Sequence, residues 1–512
     1  MMNREWTDLF RQEIPVYAEN IYAFDRGDLN RNEYKGKGGG YGTYAQKDPH
    51  LHMLRLRMAG GRLTMPRLAF LCSAIENNGI DKIKLTTCEA IQLHDLTAQQ
   101  VPQLMEQAID AEIYTRGGGG DNPRNVMMSP LAGVQQSEAF DVVPYVEAAA
   151  AYLLGIVRDI HMPRKLKVAF CNGVDDCCHA AFRDMGFIAN PDGTFALNIA
   201  GGLGNNHRMG VRIFDALPAN DVIYALRAMI DTFCEHGCYT NRGRARTRYM
   251  QETLGPDGLK AAYLGHFETR KAAGGMDCAP AALTVTKTGE GVCNDRRAIA
   301  QKQSGLYAVS YHPLGGMLPA GKPAELYAVI RDMDAVECRV SPDGTLYIIN
   351  LTAAEAEKVL AVTADGAASD FECSTSCVGS SICQQGMRNS QAALAACRQA
   401  VAAAELPADA LPAVAICGCP SSCAAPQAAA MGFMGAGKNV DGKPQSAFKM
   451  FLGGSDAFGK AVFGEPVAVI LESELPAMLV ELGRAAAAAG QSWSEFKAAH
   501  EAEILAIIAK YN

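Results

Sequence analysis

The sequence predicts an internally duplicated α+β protein of several domains, and three observations carry that prediction. The first is length: 512 residues are too many for one hydrophobic core, so two to four domains are expected. The second is self-similarity. Residues 60–100 (GGRLTMPRLAFLCSAIENNGIDKIKLTTCEAIQLHDLTAQQ) align with 315–355 (GGMLPAGKPAELYAVIRDMDAVECRVSPDGTLYIINLTAAE) at an offset of 255. Gly60-Gly61 falls on Gly315-Gly316, and Leu96-Thr97-Ala98 on Leu351-Thr352-Ala353. The third is a further echo: VAFCNGVDDCCHAAFRDMGF at 168–187 matches VAICGCPSSCAAPQAAAMGF at 414–433 at an offset of 246, and Gly201-Gly202 then pairs with Gly453-Gly454. Echoes in one order define two halves, each a small α+β module followed by a larger α/β module.

The elements follow from local pattern. Each small module predicts a helix, a strand (AIQLHDL, TLYIINL) and a second helix opened by a capping box, Thr97 with Gln100 and Thr352 with Glu355. Each larger module predicts a short buried strand, a cysteine-bearing turn and then a helix. The C-terminal SWSEFKAAHEAEILAIIAKYN predicts one capped amphipathic helix starting near Ser492. The expected division is an N-terminal arm at 1–47, a small domain at 48–115, a large domain at 116–275, a linker at 276–304, a second small domain at 305–365 and a second large domain at 366–512.

Composition excludes several classes. With 49% apolar and 20% charged residues the chain is ordinary globular material. A net charge of −8 gives no global reason to expect nucleic acid or an anionic membrane as partner. No run approaches the roughly 18 apolar residues of a membrane span. The opening MMNREWTDLFRQEIP lacks a basic region followed by an apolar one, so a cytoplasmic location is expected. Seventeen cysteines spread over so long a chain do not make a small disulfide scaffold; reduced thiols, a subset of them holding metal, are expected.

Two cysteine pairs stand out. Cys377 and Cys383 lie in SCVGSSICQQG, and Cys419 and Cys423 in ICGCPSSCA. Zinc sites usually use two-to-four-residue spacing in both pairs, whereas the separated corners of an iron–sulfur cube accept wider spacing. Buried free cysteines and a structural zinc are the competing readings, and Cys373 and Cys417 lie near enough to leave the ligand choice open. The first half differs at the matching positions, with Gly173 and Cys177 where the second has Cys419 and Cys423. It offers cations instead. Alternation in LRLR puts Arg55 and Arg57 on one strand face; RNVMMSPLAG brings Arg124; PRKLKVAF brings Arg164, Lys165 and Lys167, the lysines projecting to one side of a buried run. Such placement is costly unless an anion is near. A site shared between the halves is expected. Cys171, Cys177 and Cys178 read as structural remnants of the duplicated loop.

Cys377-x5-Cys383 followed by Cys419-Pro-Ser-Ser-Cys423 resembles the cluster signature of siroheme-dependent sulfite and nitrite reductases, and the resemblance runs from about residue 45 to beyond 455. It implies ferredoxin-like half-domains, two larger α/β domains that bind siroheme and cluster, and a 4Fe–4S cluster on Cys377, Cys383, Cys419 and Cys423. The Cys423 thiolate would also be the axial ligand of the siroheme iron. Arg55, Arg124, Lys165 and Lys167 would line the distal face as the catalytic cations. Asn125, the NRGRARTRYM segment with Arg242, Arg244 and Arg246, and Lys35, Lys37 and Gln46 in the glycine-rich stretch at 30–46 are cofactor-contact candidates. That stretch reads either as a mobile surface loop or as a strap over the cofactor, and NRGRARTRYM as a basic helix or a clamping bend. Ser-Ser between the last two cysteines, and Ala424 after them, depart from the commonest family wording without removing a ligand.

The resemblance implies six-electron reduction of sulfite to sulfide, with Lys167 standing where plant-type nitrite reductases tend to have asparagine. Nitrite reduction to ammonia is the alternative. Neither Gly117–Gly120 nor Gly201–Gly204 satisfies the dinucleotide fingerprint, so a separate protein donor is expected, ferredoxin or a flavoprotein. An iron–sulfur carrier without siroheme and a zinc-stabilised binding protein are the other classes, and neither needs the cations.

Overall fold

The computed structural model describes residues 4–512. Four five-stranded sheets organise the chain, two per half, and the duplication is visible strand by strand. In each larger module two short strands and a third run parallel, followed by two antiparallel ones. The first module uses Met127–Met128, Val168–Cys171, Met185–Ala189, Thr194–Ile199 and Val211–Pro218; the second uses Thr375–Ser376, Val414–Cys417, Met431–Val440, Lys443–Leu452 and Glu465–Leu471. Helices cover one face of each sheet and form separate cores, around Phe170, Phe187 and Phe195 in the first and Phe433, Phe448 and Met450 in the second.

The small modules are not separate. The four-stranded run Thr43–Ala45, His52–Leu56, Ile91–Leu96, Ile83–Leu85 is completed by Met317–Leu318 from the second half. Its twin, Ala298–Ala300, Leu306–Tyr311, Leu346–Thr352, Glu337–Val340, is completed by Arg62–Leu63 from the first. The crossing points are the repeated glycine pairs. Gly60, Gly61, Gly315 and Gly316 all have positive φ, between 57° and 74°, a conformation open to glycine at no steric cost. The two sheets therefore share one apolar core, from Leu54 and Leu93 to Ile348 and Leu351.

The N-terminal segment is mostly helical. Arg4–Asp25 buries Phe10, Ile14, Tyr17, Ile21 and Phe24, one stripe at helical spacing, against that core. The glycine-rich stretch is not a mobile loop: Asn30 and Glu33 form a capping box that starts a helix over Arg31–Gly38, and the chain then enters the edge strand Thr43–Ala45. Residues 274–297 run without regular structure. All seventeen cysteines are free, and among the described residues no helix is long and apolar enough to cross a membrane.

Two expectations are corrected. The helix expected after each cysteine-bearing turn is absent, and the chain passes from Cys171 to Met185, and from Cys417 to Met431, through turns alone. These crossovers lie directly on the strand they lead into. A Cβ on Gly186 would sit 1.8 Å from the Ala180 carbonyl oxygen, and one on Gly432 1.8 Å from that of Pro426, leaving no room for a helix. The C-terminal helix is two, Trp493–Ala499 and Glu501–Ala509, broken at His500 so that Trp493 and Phe496 as well as Ile504 and Ile507 reach the same core. Of the two readings of NRGRARTRYM the structure shows the bend, built of two short 3-10 turns, Arg242–Arg244 and Thr247–Tyr249.

The Gly186 contact makes a direct test. Gly186→Ala is expected to lower the thermal unfolding midpoint, with a cost of about 3 kcal/mol from overpacking. Gly265→Ala, in an open helical position, is expected to be neutral or stabilising by up to about 1 kcal/mol.

Candidate active site

The second half gathers sulfur. The turn after Val414–Cys417 and the loop after Thr375–Ser376 are zipped together: Cys377 N–H donates to the Ile416 carbonyl at 3.0 Å, and the Met387 and Arg388 amides donate to the Gly418 carbonyl at 3.1 and 2.9 Å. Gly418 is needed there, since a Cβ would lie 2.3 Å from the Arg388 carbonyl oxygen. Cys377, Cys383, Cys419 and Cys423 then lie close enough to influence one another's ionisation. The Cys377 thiol is brought down to about 5 by hydrogen bonds from the Cys417 side chain, the Gly418 amide (3.2 Å) and Ser390. Burial and Cys377 push Cys423 up to about 12 against the pull of Lys165 and Lys167. Of the two cysteines that spacing left open, Cys373 faces Asp343, Asp370 and Arg296, away from this group. Cys417 belongs to it, buried, with its sulfur accepting from the Ala424 amide at 3.0 Å.

The first half brings the cations to the same place. The extended PRKLKV segment presents Lys165 and Lys167 to Cys423. Lys165 is held well below the usual lysine range by burial, then by Arg246, Arg124 and Lys167, and among the described residues it has no carboxylate partner. Lys167 is lowered by burial, then by Arg183 and Arg246, with Cys88 opposing. Arg124 and Arg55 are steered by the glycine loop at 117–120, where Gly118 and Gly120 carbonyls accept from Arg124 at 2.8 Å each and Gly118 also accepts from Arg55. A Cβ on Gly119 would meet the Gly39 carbonyl at 2.3 Å and the Tyr44 hydroxyl at 2.5 Å, so this loop is glycine because it wraps closely. Arg57, expected on the same face as Arg55, is buried and holds the Arg116 and Arg124 carbonyls, a structural task.

The remaining candidates divide. Arg246 joins the pocket, gripping both oxygens of the buried Asp184 at 3.0 and 2.9 Å. Arg242 instead pairs with Asp121 alongside Arg164, and Arg244 pairs with Glu252. Lys35 lies near Tyr44, whereas Lys37 is exposed on its helix. Gln46 is not available for a cofactor: its amide oxygen accepts from His94 and the Asp95 amide, and its nitrogen donates to Asp95. Asn125 directs its amide nitrogen at the Cys88 and Glu89 carbonyls, so it fixes the Thr86–Glu89 turn.

That turn, with Asp184, is what sequence reasoning missed. Thr87 donates its hydroxyl to the Cys423 carbonyl at 2.7 Å, tying the first half to the thiol group. Cys88, beside Lys167 and Arg183, is brought down to about 6 although burial opposes it. Asp184 also accepts from the Lys167 amide at 2.9 Å and from Thr247. A signal existed in the repeat, since Arg183-Asp184 falls on Ala429-Ala430 in the second half.

The residues fit two anionic prosthetic groups. Cys377, Cys383, Cys419 and Cys423, with Cys417 beside them, are thiol donors of the kind a 4Fe–4S cluster would take. Cys423 is exposed, with Lys165, Lys167, Cys377 and Cys419 around it. The buried Nε atoms of Arg124, Arg246 and Arg248 have no partner, as donors waiting for carboxylates would.

Comparison with known proteins agrees. Residues 44–111 match the nitrite/sulfite reductase ferredoxin-like half domain, and 119–271 the nitrite and sulphite reductase 4Fe-4S domain. The ferredoxin–nitrite reductase of Synechococcus elongatus is 27% identical over 85% of this chain and 86% of its own. A sulfite reductase [ferredoxin] of Mycolicibacterium paratuberculosis is 23% identical over 86% and 82%. The structure of the Mycobacterium tuberculosis NirA protein superposes with a TM-score of 0.75 at 23% identity, covering 93% of this chain and 91% of that one. The chain belongs to the siroheme-dependent sulfite/nitrite reductase family. It is an oxidoreductase whose cofactors are siroheme and a 4Fe–4S cluster.

Asp184→Ala leaves the Arg246 guanidinium buried without its carboxylate. The expected cost is about 3–5 kcal/mol, read as a lower thermal unfolding midpoint. Asp184→Asn, which keeps one acceptor, is expected to lose less.

Proposed function

We propose that this enzyme reduces sulfite to sulfide, with electrons from a ferredoxin-type protein. The observation that carries the reading is the pair Lys165 and Lys167, two desolvated lysines beside Arg124 and Arg246. Sulfite bears up to two negative charges at neutral pH and nitrite one, so a second lysine suits the more highly charged anion. Arg55 and Arg124, their guanidiniums oriented by the Gly118 and Gly120 carbonyls, bind and polarise the oxyanion. Lys165 and Lys167 deliver protons as oxygen leaves as water; crowding by other cations weakens their hold on a proton, which is what a donor needs.

In this reading Cys377, Cys383, Cys419 and Cys423 would hold the cluster, and the Cys423 thiolate would also bind the siroheme iron. Arg246 and Arg248, with their unpartnered Nε atoms, take siroheme carboxylates. When bound, the two cofactors supply the electrons for the six-electron reduction. The ferredoxin donor follows the relatives, which are named as ferredoxin-dependent enzymes. Those names divide between nitrite and sulfite at similar identities, 27% and 23%, so the residue at 167 weighs more here than the names do.

The test is the ratio of kcat/KM for sulfite to that for nitrite on the purified holoenzyme. A ratio above one supports the reading and a strong preference for nitrite overturns it. Lys167→Met is expected to retain both cofactor absorption spectra and lose about 10²-fold or more in sulfite turnover; undiminished turnover removes Lys167 from the mechanism. Lys167→Asn is expected to move the ratio towards nitrite.

A further inference from the structure

Lys84 is a buried cation that the proposed reaction does not use. It lies on the strand Ile83–Leu85, paired in register with Met317 of the exchanged strand, and is 6% exposed. Its ammonium donates to the Gly315 and Gly316 carbonyls at 3.2 and 2.9 Å, and both acceptors are neutral. The fit requires glycine, because a Cβ on Gly316 would lie 2.5 Å from Nζ and 2.9 Å from the Thr375 hydroxyl. Thr375 stands two residues before Cys377, and Gly315 bridges to it directly.

The duplication supplies an internal control. At the offset of 255, Lys84 falls on Arg339 and Lys82 on Glu337. Arg339 is equally buried, 4% exposed, but donates to the Glu337 carboxylate at 2.7 Å, which Arg62 grips from the other side. The twin cation is neutralised by a carboxylate of its own sheet. Lys84 has a lysine where that carboxylate would be. Buried charges are paired as a rule, and the groups that favour the charged form of Lys84 are the sulfurs of Cys377 and Cys417.

We propose that Lys84 is the counter-charge of the iron–sulfur cluster at its Cys377 corner, and that it raises the cluster's reduction potential. This rests on the cluster assignment made above. Each electron entering the cluster adds one negative charge, so a fixed cation in a low-dielectric surrounding favours the reduced form. The ammonium cannot drift away, since the two glycine carbonyls of the exchanged strand hold it. Burial alone would drive the lysine neutral; it is lowered to about 8, and the adjoining sulfurs oppose that fall. Lys84 is a positioning residue in this sense: it acts on substrate reduction only through the cluster.

The experiment is an EPR-monitored redox titration of the holoenzyme and of three variants. Lys84→Gln removes the charge while its amide still donates to a carbonyl, and it is expected to make the reduced cluster about tenfold less populated at a fixed potential, a midpoint 59 mV lower for one electron. Lys84→Arg keeps the charge and is expected to stay near the native value. Lys84→Met repeats the measurement without any polar end. An unshifted midpoint in either neutral variant overturns the proposal. Loss of the cluster from both neutral variants with retention in Lys84→Arg supports it, because the charge alone then decides assembly. A native protein without a reduced-cluster EPR signal would instead overturn the cluster assignment, a result distinct from an unmoved midpoint.

Discussion

Each small sheet is finished by two residues of the other half, and this exchange sets the geometry on which the site depends. A two-residue strand contributes little by itself. Its effect is positional: Met317 against Lys84 and Arg62 against Arg339 lock the two small sheets into one core. The glycine pairs make the exchange possible because only a residue without a Cβ turns sharply and still lets a carbonyl face a buried cation. The same locking carries the first half's Thr86–Glu89 turn up to Cys423, where the Thr87 hydroxyl closes the contact. Cations from one half and sulfurs from the other meet at a distance fixed by backbone, not by flexible side chains.

Duplication followed by divergence explains why the charges sort as they do. Two copies of one α/β module face a common space. If both kept cysteines there would be thiols and no means of binding an anion; if both kept cations the repulsion would have no counterweight. One copy has Cys419 and Cys423 with Ala429-Ala430, while the other has Gly173 and Cys177 with Arg183 and Asp184. The small modules show the reverse pattern. There the second copy carries its own carboxylate, Glu337, and the first leaves Lys84 to be balanced from outside.

Most of the architecture was legible because it repeats. The offsets of 255 and 246 fall on strands that occupy equivalent places in their sheets, and the capping boxes at Thr97 and Thr352 both form. What local pattern could not show was the exchange, since Arg62-Leu63 and Met317-Leu318 are too short to read as strands. Nor could it show that the crossovers at 172–184 and 418–430 lack helices, a consequence of how closely they lie on Gly186 and Gly432. At the site, the structure brings residues from quotable motifs, the four cysteines, Arg55, Arg124, Lys165, Lys167 and Arg246, to one region. The Gln46 and Asn125 amides also hold the protein's own groups, His94 and the Asp95 amide for Gln46 and the Cys88 and Glu89 carbonyls for Asn125, a task that their place in a motif did not reveal. Arg242 and Arg244 share a motif with Arg246 but sit on 3-10 turns that direct them to Asp121 and Glu252.

The depressed lysines give the pocket a definite proton logic under the proposed reaction. Lys165 holds its proton less tightly, first through burial and then through three neighbouring cations. An arriving anion reverses the sign of that environment. Opposite charge nearby favours the ammonium, and the lysine's pKa rises as substrate binds. In the proposed reaction the ammonium then stands beside the oxygen that will leave as water. As oxygen departs with its protons, the charge that held the ammonium falls and the lysine releases its own proton more readily. Negative charge added in the sulfur-bearing half by reduction would favour the ammonium again. Under the proposed reaction, electron and proton delivery would be coupled by electrostatics alone, with Arg55 and Arg124 held by the Gly118 and Gly120 carbonyls and Arg246 by Asp184.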